Sequence, residues 1–310
     1  MNPDQLKPKV IVICGPTGVG KTSVALELAK TFNSEIVSAD SMQIYRYMDV
    51  GTAKPSSFEQ TRIPHHMIDI VNPDEPFDAA KYSEKAHRVI MKLHQKSITP
   101  FVAGGTGLYI KALLHGLFRN GPTDPEVRKR LQAEAELHGP GFLYQRLSQY
   151  DPDTAQKLHP HDTFRIIRAL ETYEISGKSI SQHHHGHRFA DRPFIVLKIG
   201  LNLEREALYD RINRRVDAMI KAGFVDEVKK LFRMGYSTDL KSMQSIGYRH
   251  IADYIKKGIS WDETVRILKR DTRRYAKRQL TWFKADSEIV WVFPEHLTHI
   301  VDLLSEFLKK

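Results

Sequence analysis

Gly15-Pro16-Thr17-Gly18-Val19-Gly20-Lys21-Thr22 follows the apolar run Val10-Ile11-Val12-Ile13-Cys14 and precedes an amphipathic stretch from Ser23 to Phe32. A glycine-rich turn between a buried strand and a helix is the context of a phosphate-binding loop. The three glycines let the backbone curl closely round an anion, so that several N–H groups and the positive end of the next helix converge on it. Lys21 adds a point charge, and Thr22 offers the hydroxyl with which such loops hold Mg²⁺ against phosphates. Val24, Leu28 and Phe32 recur every fourth residue, which predicts an apolar stripe packing that helix on a sheet. The loop alone identifies neither the phosphate compound nor whether a phosphoryl group moves.

At 310 residues the chain is long enough for one large domain with a smaller one inserted or appended, and its 41% hydrophobic content is that of a globular protein. Its 47 Lys+Arg against 37 Asp+Glu leave a net charge of +10, which favours a polyanionic partner. The single cysteine, Cys14, excludes an intrachain disulfide framework and fits a reducing compartment; at the end of a core strand it reads as a packing residue. No stretch has the length of a membrane-spanning helix and the N-terminus lacks signal-peptide features, so a cytoplasmic protein with no membrane contact is expected.

Glu35-Ile36-Val37-Ser38-Ala39-Asp40 reads as a short buried strand ending on a carboxylate. In an open α/β sheet ligands lie at the carboxyl ends of the strands, which brings Asp40 to the crevice of the phosphate loop. It can serve there as a Mg²⁺ contact, as a general base, or as a cap for the segment from Ser41. Ser41 to Val71 reads mostly as loop, with a strand at Met67-Ile68-Asp69-Ile70 and a structural His65-His66 pair. A helix from Ala80 to Lys96 and a strand at Phe101-Val102-Ala103 follow, and the strand runs into a second glycine corner, Gly104-Gly105-Thr106-Gly107-Leu108-Tyr109. Two such corners and Asp40 in one crevice point to a site.

After Phe118 the composition changes. Between Asn120-Gly121-Pro122 and Asp191-Arg192-Pro193 only helices are predicted: one capped at Asp124-Pro125, a short one capped at Asp151-Pro152, and one from Asp162 to Ile175 closed by Gly177. The cluster His183-His184-His185-Gly186-His187 reads as a surface loop. Phe194 to Ile199 resumes the sheet. The expected architecture is an α/β core like that of P-loop NTPases, a parallel sheet over 1–118 and 190–310, interrupted by an all-helical insertion over 119–189. Leu203 to Ala222 is a helix that carries Arg211, Arg214 and Arg215 opposite its apolar side. Ser260-Trp261-Asp262-Glu263 is a capping box opening a long helix on which Arg266, Lys269, Arg270, Arg273, Arg274, Lys277 and Arg278 crowd one broad side, a pattern that favours contact with a phosphate backbone over a solvated face.

Gly15 to Thr22, Asp40-Ser41-Met42-Gln43-Ile44-Tyr45, Gly51-Thr52-Ala53-Lys54-Pro55, Gly104 to Tyr109, Ile246-Gly247-Tyr248 and Lys277-Arg278-Gln279-Leu280-Thr281-Trp282-Phe283 occur together and in this order. With this set the chain resembles the bacterial tRNA dimethylallyltransferases (tRNA isopentenyltransferases) over nearly its whole length. The resemblance implies transfer of a dimethylallyl group from dimethylallyl diphosphate to N6 of the adenosine 3′ of the anticodon, by a cytoplasmic monomer needing Mg²⁺ and no protein partner.

The same resemblance implies roles for individual residues. The loop from Gly15 to Thr22 would hold the donor diphosphate rather than ATP, with Arg215 meeting it opposite Lys21, and Asp40 would be the general base. Thr106 and Gln43 would touch the target nucleotide. The expected RNA contacts are Asp40, Ser41, Met42, Gln43 and Thr106, then Arg128, Arg165 and Arg168 on the insertion, Gly247, Tyr248 and Arg249, and Arg270, Arg274 and Arg278 on the long helix. Phe164 departs from the polar residue common in relatives and carries no role. Read from the loop alone, a small-molecule or nucleotide kinase is the rival.

Overall fold

A computed structural model describes residues 7–116, 124–187 and 192–309. The break expected at Asn120-Gly121-Pro122 lies outside them. In chain order come β1 (Lys9–Cys14), α1 (Lys21–Thr31), β2 (Ile36–Ser38), α2 (Ser57–Arg62), β3 (His65–His66), α3 (Ala79–Gln95), β4 (Phe101–Gly104) and α4 (Gly107–His115). Then follow α5 (Pro125–His138), α6 (Pro140–Tyr150), α7 (Pro152–Ala155), α8 (Thr163–Ser176) and α9 (Ile180–His187). The chain closes with β5 (Ile195–Leu201), α10 (Arg205–Lys221), α11 (Phe224–Arg233), α12 (Tyr248–Lys257), α13 (Trp261–Lys284), β6 (Ile289–Val292) and α14 (Leu297–Lys309). Two compact units result, Met1–Leu114 with Arg192–Lys310, and His115–Asp191.

The first unit is built on a six-stranded parallel sheet of order β3-β2-β4-β1-β5-β6. Val10 to Ile13 are inaccessible because a central parallel strand is covered on both faces, which is why this stretch reads as an unbroken apolar run. Cys14 pairs with Gly104 on one side and Gly200 on the other, and Ser38 pairs with Ala103. The carboxyl ends of β1, β2 and β4 therefore finish level, and their loops open on one crevice. Burial pushes the Cys14 thiol up to about 12, as suits a packing residue. Val24, Ala25, Leu28 and Ala29 seat α1 on the sheet, where truncating Leu28 would cost about 2–5 kcal/mol.

The strand expected at Met67–Ile70 falls two residues earlier. Met67 and Asp69 have φ of 65° and 55°, and such left-handed residues cannot continue a ladder. Asp69 is held instead by the Lys54 ammonium at 2.6 Å, which also reaches Asp49 and the Tyr45 carbonyl. His65 and His66 pair with Ile36 and Val37, and His66 Nε2 meets Glu35 Oε2 at 2.6 Å, a structural role.

The second unit is helical. Leu131, Leu143, Leu147, Ile166 and Leu170 form its core, and α5, α7 and α8 begin at the aspartate caps Asp124, Asp151 and Asp162. Gly177 closes α8 in the left-handed conformation. The histidine cluster, expected as a loop, lies in helix α9; the eight residues from Ile180 carry no glycine or proline before Gly186 to stop a turn forming. No described helix is long and apolar enough to cross a membrane.

Candidate active site

The phosphate loop closes on itself through Lys21, whose Nζ donates to Pro16 O at 2.8 Å. Gly20, with φ of 103°, takes the cap position of α1 and offers no side chain there, so the first N–H groups of that helix face an incoming anion. Burial and the adjacent Arg215 guanidinium lower Lys21 to about 8, with Asp40 offsetting part of the drop. Lys21, Thr22, Asp40, Gln43 and Arg215 line one cavity of about 320 Å³.

Helix α10 adds two arginines to this cavity. Arg215 donates to Thr52 O at 3.2 Å and Arg211 to Val19 O at 3.2 Å, four residues apart and so on one face. Burial lowers Arg215 from its ordinary value. Arg211 was not among the expected site residues; its spacing to Arg215 is the signal that identifies it.

Asp40 fills one of its three possible roles in the structure, that of a cap. Its Oδ1 accepts the N–H groups of Met42 at 2.8 Å and Gln43 at 3.3 Å, which makes it a cap for the turn from Ser41. Oδ2 takes no hydrogen bond from a described residue, and Asp40 is part of the cavity lining. A cap and a proton acceptor therefore fit on one carboxylate. Gln43 spends its amide internally, accepting from Ser38 Oγ at 3.1 Å and donating to Ala53 O at 3.4 Å, while forming part of the wall.

The second glycine corner is interlocked with α13. Gln279 Oε1 accepts the Thr17 N–H at 2.8 Å and its Nε2 donates to Gly105 O at 2.8 Å, tying the phosphate loop to the corner after β4. A Cβ at Gly105 would collide with Gln279, and one at Gly107 with Trp282, so each glycine makes room for one side chain of the helix. Thr106 Oγ1 accepts the Ser41 N–H at 3.0 Å and donates to Ser41 Oγ at 3.3 Å, while Tyr275 lines the cavity beside Gln279. Burial pushes Tyr275 up to about 12, so its phenol is a donor at neutral pH. Tyr275 and Gln279 were missed as wall residues because the helix reads as a basic face, which hides the side pointing at the sheet.

That basic face is itself divided. Lys269 pairs with Asp217 at 2.7 Å and Arg273 donates to Asn213 at 2.7 Å, so both are turned to α10, and Arg266 is bound to Glu263. Arg270 and Arg274 instead gather round Asp271, at 2.9 and 3.6 Å, with Arg249 at 3.8 Å, and Arg278 lies exposed over Tyr275. Trp282 beside them is 46% exposed. Tyr248, expected among the RNA contacts, is 1% exposed and donates to Glu227 at 2.6 Å. It is a core residue, and Gly247 before it packs against the Phe224 ring.

Within the insertion, Glu171 is fully buried and accepts from Arg128 at 2.9 Å and Arg168 at 2.7 Å. Both arginines thus have a structural partner, while Arg165 is exposed and paired with Asp162 at 2.9 Å. Phe164 is 77% exposed.

The model of the IPP transferase family matches residues 43–286. A tRNA dimethylallyltransferase of Desulfosudis oleivorans is 54% identical over 98% of this chain and 97% of its own. The chain belongs to the IPP transferase family. A second family member, from Syntrophobacter fumaroxidans, is 53% identical over 91% of this chain and 82% of its own. Among solved structures, the tRNA isopentenylpyrophosphate transferase of Bacillus halodurans superposes with a TM-score of 0.73 at 39% identity, covering 98% of this chain and 97% of the other. A eukaryotic dimethylallyltransferase acting on tRNA gives 0.76 at 29% identity, covering 93% of this chain and 74% of that one. The parallel sheet with its phosphate loop is the IPP transferase fold.

Proposed function

We propose that this IPP transferase moves a dimethylallyl group from dimethylallyl diphosphate to N6 of the adenosine 3′ of the anticodon in tRNA, releasing diphosphate. The observation that carries the reading is the convergence of Lys21, Arg215 and the loop amides with the Asp40 carboxylate in one cavity. Breaking the allylic C–O bond leaves negative charge on the diphosphate and cationic character on the prenyl carbon. Donors fixed on the leaving group stabilise that separation. Lys21 and Arg215 in the cavity lining would supply these donors, and Arg211 in the same lining would add a third charge. Asp40 Oδ2 then accepts the N6 proton as the N–C bond forms.

The Thr22 hydroxyl in the cavity lining, together with the oxygens of a bound diphosphate, would hold Mg²⁺, which would neutralise leaving-group charge; the described residues hold no cluster of three His, Cys, Asp or Glu for an all-protein site. The target adenine must leave its stack to reach the carbon, and Gln43 in the cavity lining, with Ser41, Met42 and Thr106 hydrogen-bonded beside Asp40, would be the residues that meet it. Arg249, Arg270, Arg274 and Arg278 supply the phosphate contacts from the core, and Arg165, with Arg128 and Arg168 beside it, those of the insertion, which grips the anticodon stem-loop. The enzyme acts as a cytoplasmic monomer.

Incubation with labelled dimethylallyl diphosphate and bulk tRNA, without ATP, tests the reading. Label recovered as N6-dimethylallyl-adenosine supports it. No transfer to RNA, together with ATP-dependent phosphorylation of a small acceptor, would replace it with a kinase.

A further inference from the structure

Three consecutive backbone N–H groups ahead of Thr52 point at one carboxylate. Glu227, in the first turn of α11, accepts from Asp49 at 2.9 Å and Val50 at 2.7 Å through Oε2, and from Gly51 at 3.0 Å through Oε1. Oε1 also takes the Tyr248 hydroxyl at 2.6 Å. Tyr248 packs edge-on against Phe224 with centroids 5.0 Å apart, and a Cβ at Gly51 would collide with both rings, so the loop is pressed against this aromatic pair. The next residue, Thr52, is buried and anchored by its hydroxyl to Met48 O at 2.7 Å. Its carbonyl is the acceptor for Arg215. Glu227 itself does not line the cavity.

Four donors on one carboxylate are far more than a surface glutamate needs, and three of them belong to the loop whose Thr52 carbonyl takes Arg215. We infer that Glu227 is a positioning residue for prenyl transfer, fixing the Asp49–Thr52 loop so that Thr52 O aims the Arg215 guanidinium at the donor diphosphate. The inference rests on the proposed role of Arg215. An arginine has five N–H donors in a rigid fork, so a partner on one nitrogen sets the direction of the rest. A shift of about 1 Å in a group that meets the transition state costs up to about 100-fold in rate.

Glu227→Gln replaces one acceptor oxygen with an NH₂ group and leaves at least one loop N–H unmatched. In the full-length chain it is expected to lower kcat about 10- to 100-fold while tRNA affinity stays within about threefold of wild type. The decisive readout is a double-mutant cycle with Arg215→Ala. If Glu227 acts through Arg215, adding Glu227→Gln to Arg215→Ala lowers the rate by less than about threefold further. If the two losses multiply, Glu227 is only a structural residue and the inference is overturned. An Arg215→Ala enzyme with wild-type turnover would instead overturn the role of Arg215, a separate failure. Should Glu227→Gln not fold, Glu227→Asp, which retracts the carboxylate by one methylene, enters the same cycle with the same two outcomes.

Discussion

Gln279 and Thr17 meet at 2.8 Å, a helix side chain holding a backbone N–H of the phosphate loop. The other end of the same amide is on Gly105 O, so α13 clasps both glycine corners with one residue and carries the exposed arginines Arg274 and Arg278 on an adjoining face. The cavity wall and the exposed arginines are thereby carried by one helix. Gln279→Met keeps the length and removes both bonds. It should reduce kcat about tenfold and weaken diphosphate inhibition, since the loop amide loses its support. Steady-state kinetics with inorganic diphosphate as inhibitor measures both; unchanged values would make Gln279 a packing residue.

Lys21 sets the response to alkaline pH. Its ammonium deprotonates near 8 in the free enzyme, well below its ordinary 10.5, and an anionic diphosphate favours the charged form. As pH rises through 8, kcat/KM for the donor should fall while kcat at saturating donor holds to higher pH. Lys21→Arg, whose charge does not titrate in this range, should lose that limb at the expense of overall rate. Stability moves the other way. Between about 8 and 10.5 the unfolded chain binds a proton that the folded chain has released, so this group makes stability rise with pH in that window.

Salt should weaken RNA binding through release of condensed counterions. Replacing Arg270, Arg274 and Arg278 by Gln should flatten the dependence of log affinity on log salt by up to about three units. Replacing Lys269 and Arg273, which are spent on Asp217 and Asn213, should barely alter it. Equal effects from the two sets would dissolve the division of the helix face.

In the insertion, Arg168→Ala leaves the buried Glu171 with Arg128 as its one remaining guanidinium, and should cost up to about 3 kcal/mol in thermal or urea unfolding. Burial pushes the Glu171 carboxyl up, but the hydrogen bonds from Arg128 and Arg168 outweigh it and hold it below the ordinary 4.5. The group therefore stabilises the fold above about 4.5 and loses that contribution as pH falls toward its lowered folded value. A wild-type melting curve for Arg168→Ala would return Arg168 to a purely RNA-facing role.

Much of this was legible from local rules. The run Val10 to Cys14 and the glycines after it declare a central strand and its loop, and Asp124, Asp151, Asp162 and Gly177 mark helix ends. What escaped depends on partners distant in sequence. Tyr248 sits in a motif and was expected at the RNA surface, but Glu227 and Phe224 draw it into the core. Arg128 and Arg168 read as free charges until Glu171, 43 and three residues away, is found between them. The strand at Met67 to Ile70 fails because Met67 and Asp69 adopt left-handed φ, which no local pattern announces, and Asp69 is held by Lys54 instead of a ladder.

The role of Asp40 is tested most directly by Asp40→Asn under single-turnover conditions with both substrates saturating. Asparagine keeps an oxygen for the Met42 and Gln43 N–H groups, so the cap and the melting temperature should survive. It cannot accept the N6 proton, which should lower the rate of prenyl transfer about 10²- to 10⁴-fold at every Mg²⁺ concentration, with both substrates bound nearly as in wild type. A rate within threefold of wild type, or one restored by excess Mg²⁺, would contradict the assignment of Asp40 as the base and with it the proposed course of the reaction.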